Sequence, residues 1–277
     1  MRDFVYRGSD GCRLHGTTLG QGPGLVLLHG GGPDRYSLLP LARRLAGGFT
    51  VILPDVRGYG RSVCTDPARH TWAQYTDDVC ALLDHLGLRR ATVGGTGLGG
   101  TITLRTAAAH PDRIRAAIVI SMEDIEDDAA KEAEAAMLEA FAARVREHGI
   151  HAAWAPILPA LAPVIGSLVR DAIPRSNAAS IAAACAIGRD RAFRRVTDLA
   201  AITPPTLVIP GADTRHPAAL AAQAVRTLPR GHLADVSLST DLQSAADLAH
   251  ALAPAIWNFL TTQLTLHTAT PGESGAP

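Results

Sequence analysis

The chain lacks an excess of charge of either sign, since its 26 basic residues are balanced by 26 acidic ones. Such a balance gives no electrostatic basis for binding nucleic acid or an anionic membrane. Closely spaced cysteines are also lacking, because Cys12, Cys64, Cys80 and Cys185 lie far apart along the chain. Without a Cys-x-x-Cys pair, neither a zinc knuckle nor a redox motif is indicated, and we expect four free thiols in a reducing compartment.

The sequence has few uncharged stretches that could cross a membrane. One such stretch, residues 151–169, contains Pro156, Pro159 and Pro163, which disfavour a spanning helix. The first residues, MRDF, do not form the apolar segment of a secretory signal. We therefore expect a cytoplasmic protein with neither nucleic-acid nor membrane partners.

Apolar residues make up 47% of the 277 residues, which is enough to bury a sizeable core. Short apolar runs alternate with amphipathic stretches along most of the chain. We predict strands at residues 4–6, 13–19, 24–28, 50–53, 91–95, 116–121, 206–210 and 233–238. Helices are predicted at residues 36–45, 71–86, 98–109, 217–228 and 245–260. This alternation predicts a mostly parallel sheet with helices on both faces.

Residues 122–197 break this alternation, because they are alanine-rich, helical in pattern and interrupted by prolines. Since they lie between two predicted core strands, we expect an inserted helical cap. The core would then consist of residues 1–121 and 198–264. Residues 265–277 have the composition of a linker, and we expect a disordered tail there.

Three glycine-containing patterns follow predicted strands in order. They read HGGGP at residues 29–33, PDVRGYGRS at 54–62 and VGGTGLGG at 93–100. Together with PPTLVIPG at residues 204–211, they resemble the α/β-hydrolase superfamily across about residues 5–260. The resemblance implies the α/β-hydrolase fold, which is an eight-stranded, mostly parallel sheet with helices on both faces and an inserted helical cap.

The nucleophile turn of that superfamily reads Gly-x-Ser-x-Gly, and residues 95–99 fit it with Gly97 in the place of serine. Glycine tolerates the strained backbone of this turn but has no attacking atom. Thr96 lies one residue too early, so we expect its side chain to point elsewhere. The loop after residues 233–238, where the superfamily's histidine is expected, contains none. The resemblance therefore implies a member without the serine nucleophile and the usual catalytic histidine.

Backbone donors do not depend on side chains and would survive this loss. The N–H group of Leu98, with that of Gly31 or Gly32, could bind a ligand oxygen. The candidate acids and bases at the strand ends are His29, Asp34, Glu123, Asp124, Asp213 and His216.

Most of these side chains have a structural alternative. His29 could instead be hydrogen-bonded to the backbone. The five carboxylates at residues 123–128 could complement the dipole of a cap helix. Asp213 could stabilise a turn, and His216 could cap or pack against the following helix.

We expect a ligand pocket between the glycine loop, the strand-to-helix turn and the cap. The candidate binding residues are Gly31, Gly32, Thr96, Gly97, Leu98, Met122, Trp154, Ile157 and Leu161. The apolar segment at residues 154–165 would either form a ceiling for a small hydrophobic ligand or pack on the core.

The pattern favours an enzyme that acts on a small hydrophobic carbonyl compound without a serine nucleophile. Lyase, cyclase, isomerase and water-attack hydrolase reactions all fit it. The alternative is a non-catalytic small-molecule binding protein or receptor. No cofactor or metal is expected, and a homodimer is left open.

Overall fold

A single twisted sheet organises the computed structural model, which describes residues 1–123, 128–211 and 216–268. Eight strands are found among these residues, in the order β1-β2-β4-β3-β5-β6-β7-β8. They are β1 (Arg2–Arg7), β2 (Arg13–Leu19), β3 (Gly24–Leu28), β4 (Thr50–Pro54), β5 (Ala91–Thr96), β6 (Ile114–Ile120), β7 (Thr206–Ile209) and β8 (Gly231–Leu233). β2 is antiparallel to β1 and β4, and all other pairs are parallel. The predicted mostly parallel, eight-stranded sheet is confirmed.

Helices cover both faces of this sheet. The α-helices of the described residues are α1 (Leu39–Leu45), α2 (Trp72–His85), α3 (Leu98–Ala109), α4 (Asp128–Trp154), α5 (Pro163–Ala172), α6 (Ala178–Ala184), α7 (Ala218–Thr227) and α8 (Ala245–Thr268), of which α4 to α6 belong to the segment between β6 and β7. Because successive strand residues point to opposite faces, β3 contributes side chains to the hydrophobic cores on both faces of the sheet. Leu25 and Leu27 pack in the cluster that includes α1 and α8, whereas Val26 and Leu28 pack in the cluster that includes α2 and α3.

Helices α4, α5 and α6 lie between β6 and β7 and contain a hydrophobic cluster of their own, which includes Phe141, Val145 and Ile181. We refer to these three helices as the cap. The hydroxyl of Ser180 on α6 joins the cap to the core. It donates to the carbonyl of Gly58 at 2.9 Å and accepts the N–H of Cys64 at 2.9 Å.

The structure departs from the predicted elements at β8. This strand ends at Leu233. The N–H of Ala234 still donates to the carbonyl of Val208 at 2.9 Å, and Leu238 then forms an isolated bridge to Gly211. Pro210 has no N–H group to donate, and we attribute the interruption of the ladder to it.

The last helix is longer than predicted. α8 continues to Thr268 and so includes the first four residues of the predicted disordered tail. No glycine or proline stops it between residues 261 and 268, and the hydroxyls of Thr262 and Thr265 donate to carbonyls four residues earlier. The other tail residues, 269–277, lie outside the described residues. No helix in the described part of the chain is long and apolar enough to span a membrane.

Candidate active site

A sharp turn joins β5 to α3, and Gly97 is the one residue between them. Its φ of +48° and ψ of −116° are rarely adopted by residues that have a Cβ. Its N–H donates to the carbonyl of Ile120 on the neighbouring strand at 3.0 Å. The strand-to-helix turn predicted at residues 95–99 is therefore present, and its central residue offers only backbone atoms.

A side chain from the neighbouring strand lies in front of this turn. A Cβ placed on Gly97 would lie 3.1 Å from Oε1 of Glu123, which follows β6. The other carboxylate oxygen, Oε2, lies 3.0 Å from Nε2 of His216, which follows β7. Both side chains are 17% exposed, so the pair remains accessible to a small ligand. Glu123 and His216 thus form a carboxylate–imidazole pair at the carboxyl edge of the sheet.

Two unusual backbone features accompany this pair. Ser121, at the end of β6, has a φ of +59° and is the single non-glycine residue with a positive φ in the described ranges. Its buried hydroxyl makes no hydrogen bond within the described part of the chain. Gly211, at the end of β7, has no room for a Cβ because the Cβ of His216 lies there, and the Ser121 hydroxyl is 2.8 Å from the same point. These two positions bring Glu123 and His216 together.

Backbone donors adjoin the pair. Leu98 is the first residue of α3, so its N–H has no acceptor within the helix. The N–H groups of Gly31 and Gly32 find no backbone acceptor among the described residues. The glycine loop that contains them abuts the turn, because a Cβ on Gly30 would lie 3.4 Å from both the carbonyl and the hydroxyl of Thr96. The hydroxyl of Thr96 thus faces the glycine loop.

The cap reaches the glycine loop through Trp154. A Cβ on Gly32 would lie 2.8 Å from the indole carbon Cζ2 and 3.2 Å from Cγ2 of Val169 on α5. Ile157 and Leu161 are only partly buried and pack within the cap's own cluster. Of the three predicted roof residues, Trp154 is therefore the one that we place at the loop.

Three other predicted site residues, Met122, His29 and Asp34, belong to the scaffold instead. Met122 was expected in the pocket wall, but it is 3% exposed and packs in the core cluster beside α3. His29 was a candidate acid or base, but both ring nitrogens are engaged. Nε2 accepts the N–H of Val56 at 2.9 Å, which leaves Nδ1–H to donate to the carbonyl of Gly30 at 2.8 Å. Burial also lowers the pKa of His29, so the ring stays neutral.

The catalytic prediction for Asp34 is likewise corrected. This carboxylate is 2% exposed and accepts two hydrogen bonds from Arg175 of the cap, at 2.6 Å from Nε and 3.1 Å from Nη2. It also accepts the N–H of Tyr36, so this carboxylate both caps the turn that follows it and holds the cap to the core. The candidates Asp124 and Asp213 lie outside the described residues.

Tyr59 is a further residue at the loop, and it was not among the predicted site residues. The hydroxyl of Tyr59 lies 3.7 Å from the position of a Cβ on Gly31. Its signal was the Gly-Tyr-Gly triplet within residues 54–62, which was considered only as part of a motif. No group of three or more potential metal ligands is found within the described ranges.

Comparison with known proteins agrees with this architecture. A family model described as the alpha/beta hydrolase fold matches residues 23–158. A thermophilic esterase from Thermogutta terrifontis superimposes with a TM-score of 0.77 at 24% identity, over 95% of this chain and 99% of that one. The chain has the α/β-hydrolase fold. A second solved structure with this fold, the bottromycin epimerase BotH, has a TM-score of 0.73 at 24% identity, over 95% of this chain and 100% of that one.

Curated relatives match part of the chain. The putative carbamate hydrolase RutD of Caulobacter sp. (strain K31) is 37% identical over 108 residues, which are 39% of this chain and 40% of that protein. The chain therefore spans about two fifths of the length of this relative. Other relatives that match part of the chain are also named as hydrolases.

Proposed function

We propose that this chain is an enzyme that acts on a small hydrophobic carbonyl compound without a serine nucleophile, and that Glu123 is its base. The observation that carries this proposal is the 3.1 Å separation between Glu123 Oε1 and the position of a Cβ on Gly97. The carboxylate thus occupies the space in front of the turn that the side chain of a nucleophile would fill.

His216 orients this base. With Nε2 protonated, the imidazole donates a hydrogen bond to Oε2 at 3.0 Å and leaves Oε1 facing the turn. A carboxylate held in this way can accept a proton directly from a bound molecule.

The backbone donors define where a substrate oxygen would lie. A carbonyl oxygen bound by the N–H groups of Leu98 and of Gly31 or Gly32 would place the α-carbon, which is attached to the carbonyl carbon, beside Glu123. The C–H bond at that carbon breaks, its proton moves to Oε1, and the electron pair moves to the oxygen to form an enolate. Fixed N–H groups stabilise that developing negative charge without reorganisation.

We favour direct proton transfer over attack by an activated water, because Glu123 Oε1 lies beside the turn whose backbone donors would hold the substrate oxygen. The bottromycin epimerase, named for a non-hydrolytic reaction, shares this fold. Return of the proton would give an isomer or epimer, and loss of a leaving group would make the reaction a lyase step.

The test is solvent deuterium exchange. Wild-type protein and Glu123→Gln would be incubated in D2O with a panel of apolar ketones that includes acetophenone, and deuterium uptake would be followed by NMR. We expect catalysed uptake that falls at least about 100-fold in Glu123→Gln. Glu147→Gln is the matched control, because Glu147 also lies beside a histidine, His148, but is 67% exposed.

Equal uptake by wild type and Glu123→Gln would refute the proposed base. If the wild type binds these ketones but exchanges no proton, the alternative of a binding protein or receptor replaces the enzyme.

A further inference from the structure

Tyr59 occupies a tightly specified turn between β4 and α2. It lies between Gly58, with a φ of +93°, and Gly60, with a φ of +51°. A Cβ on Gly60 would lie only 2.5 Å from the carboxyl group of Asp55, so this turn needs glycine. The N–H of Tyr59 donates to the carbonyl of Val56 at 2.9 Å. The backbone of this turn is thus well defined, and the Tyr59 side chain extends from it in a direction that its own contacts define.

That direction is toward the glycine loop. The Tyr59 ring meets the His29 ring edge-on with centroids 5.5 Å apart, and His29 is itself held by two hydrogen bonds to the backbone. The ring packs against both the core cluster and the cap cluster. Its hydroxyl is the nearest atom to the open side of Gly31, at 3.7 Å from the position of a Cβ.

Neighbouring glycines of the loop are thus approached by two different groups. A phenol hydroxyl lies next to Gly31, and the Trp154 indole lies on Gly32. The first group can donate a hydrogen bond to an oxygen, and the second offers an apolar surface to a flat ring. Glu123 lies near the same loop, because Gly30 abuts Thr96 and the residue after Thr96, Gly97, is the one that Glu123 approaches.

We propose that Tyr59 is a further catalytic residue, whose hydroxyl donates a hydrogen bond to the substrate oxygen bound at the glycine loop. The substrate class that fits is an aryl or similarly flat apolar carbonyl compound, with its ring against Trp154 and its oxygen between Gly31 and Tyr59. When Glu123 removes the proton at the neighbouring carbon, negative charge develops on this oxygen and the hydrogen bond from Tyr59 strengthens. The role of Tyr59 in turnover rests on the function proposed above, whereas its role in binding can be tested separately.

The experiment compares two ligands of the same planar shape. Acetophenone has a carbonyl oxygen where α-methylstyrene has a CH2 group. Binding of both would be measured by calorimetry with wild type, Tyr59→Phe and Tyr6→Phe. Tyr6 is the control because it is buried in the core cluster on β1, away from the glycine loop.

We expect Tyr59→Phe to weaken acetophenone binding about three- to tenfold, as loss of one hydrogen bond predicts, and to leave α-methylstyrene binding unchanged. The carbonyl stretch of bound ¹³C-labelled acetophenone should move to higher frequency in Tyr59→Phe and stay in place in Tyr6→Phe. An unchanged stretch and affinity in Tyr59→Phe would overturn the assignment, as would failure of wild type to bind acetophenone. Failure of the proposed base would be distinguishable from failure of the Tyr59 assignment. In that case Glu123→Gln would not change deuterium exchange, whereas Tyr59→Phe would still weaken the binding of acetophenone.

Discussion

Gly32 and Trp154 are in direct contact, and a Cβ on the glycine would lie 2.8 Å from the indole ring. The contact joins the glycine loop after β3 to the last residue of α4. A side chain at position 32 would therefore displace the cap from the loop whose backbone donors it covers.

This contact makes Gly32→Ala measurably different from other glycine substitutions. Gly11 is the matched control, because its φ of +82° is close to the +96° of Gly32, but nothing lies within 4 Å of a Cβ there. Both variants should lose roughly 1–2 kcal/mol through backbone strain. Gly32→Ala should lose about 1–3 kcal/mol more through the clash. Urea unfolding measures both losses, and the additional loss should shrink in Gly32→Ala/Trp154→Ala. Equal losses in the two single variants would contradict the contact.

Restoring the motif serine should not restore serine chemistry. In Gly97→Ser the new Cβ would lie 3.1 Å from the Glu123 carboxylate, in a backbone conformation that disfavours any side chain. The group beside its hydroxyl would be the Glu123 carboxylate rather than an imidazole, and a carboxylate is too weak a base to activate a serine efficiently at neutral pH. We expect no increase in p-nitrophenyl acetate turnover above wild type and a melting temperature lowered by several degrees. Efficient ester turnover by Gly97→Ser would show that His216 can serve as the base of a serine.

Serine-directed fluorophosphonates should leave the wild-type protein unlabelled. Gly97 has no side chain, and the hydroxyl of Ser121 is buried at the end of β6 although it makes no hydrogen bond within the described residues. Intact-mass measurement after prolonged incubation should therefore show no adduct. Stoichiometric labelling that disappears in Ser121→Ala would identify Ser121 as a nucleophile and would overturn the proposal of a reaction without one.

Acid should destabilise the fold through a buried histidine. Burial lowers the pKa of His70 to about 4 from its ordinary value of 6.5, while its ring nitrogens contact the Tyr75 hydroxyl and the carbonyl of Cys64. Between these values the unfolded chain binds a proton that the folded chain does not. The free energy of unfolding should therefore fall as the pH falls from about 6.5 to 4, by up to about 3 kcal/mol from this residue.

Urea unfolding at several pH values would measure this fall. His70→Gln should flatten it, although only in part, because the pKa of His29 is lowered by burial as well. His148→Gln, at a side chain that is 64% exposed, should not change the slope. An identical pH slope for His70→Gln and wild type would refute the assignment.

Most of the fold could be predicted because its signals are local. The helix predicted at residues 98–109 has those bounds in the structure, since it begins at a glycine turn and keeps one pattern throughout. The end of β8 was predicted wrongly because it depends on another element, and the end of α8 because threonine hydroxyls bond to its own carbonyls beyond residue 260. For β8, the missing N–H group of Pro210 on the neighbouring strand matters more than the apolar pattern of residues 233–238.

The site could be predicted only in part, because partnerships between side chains do not show in the sequence. Glu123 and His216 were each candidates through their places after strands. Their pairing depends on the positive φ of Ser121 and on the close approach of His216 to Gly211. His29 has the same residue type as His216, yet hydrogen bonds to the backbone occupy both of its nitrogens.

The carboxylate in front of the turn belongs to a different strand from the turn itself. Glu123 follows β6, whereas Gly97 lies between β5 and α3 and the donor Leu98 begins α3. A library built to seek new reactions on this scaffold could therefore randomise residues 121–123 together with His216 and keep residues 95–99 fixed. Variants from such a library would differ in the reactive group while they retain the same anion-binding backbone, so reactivity and oxygen recognition could be selected one at a time.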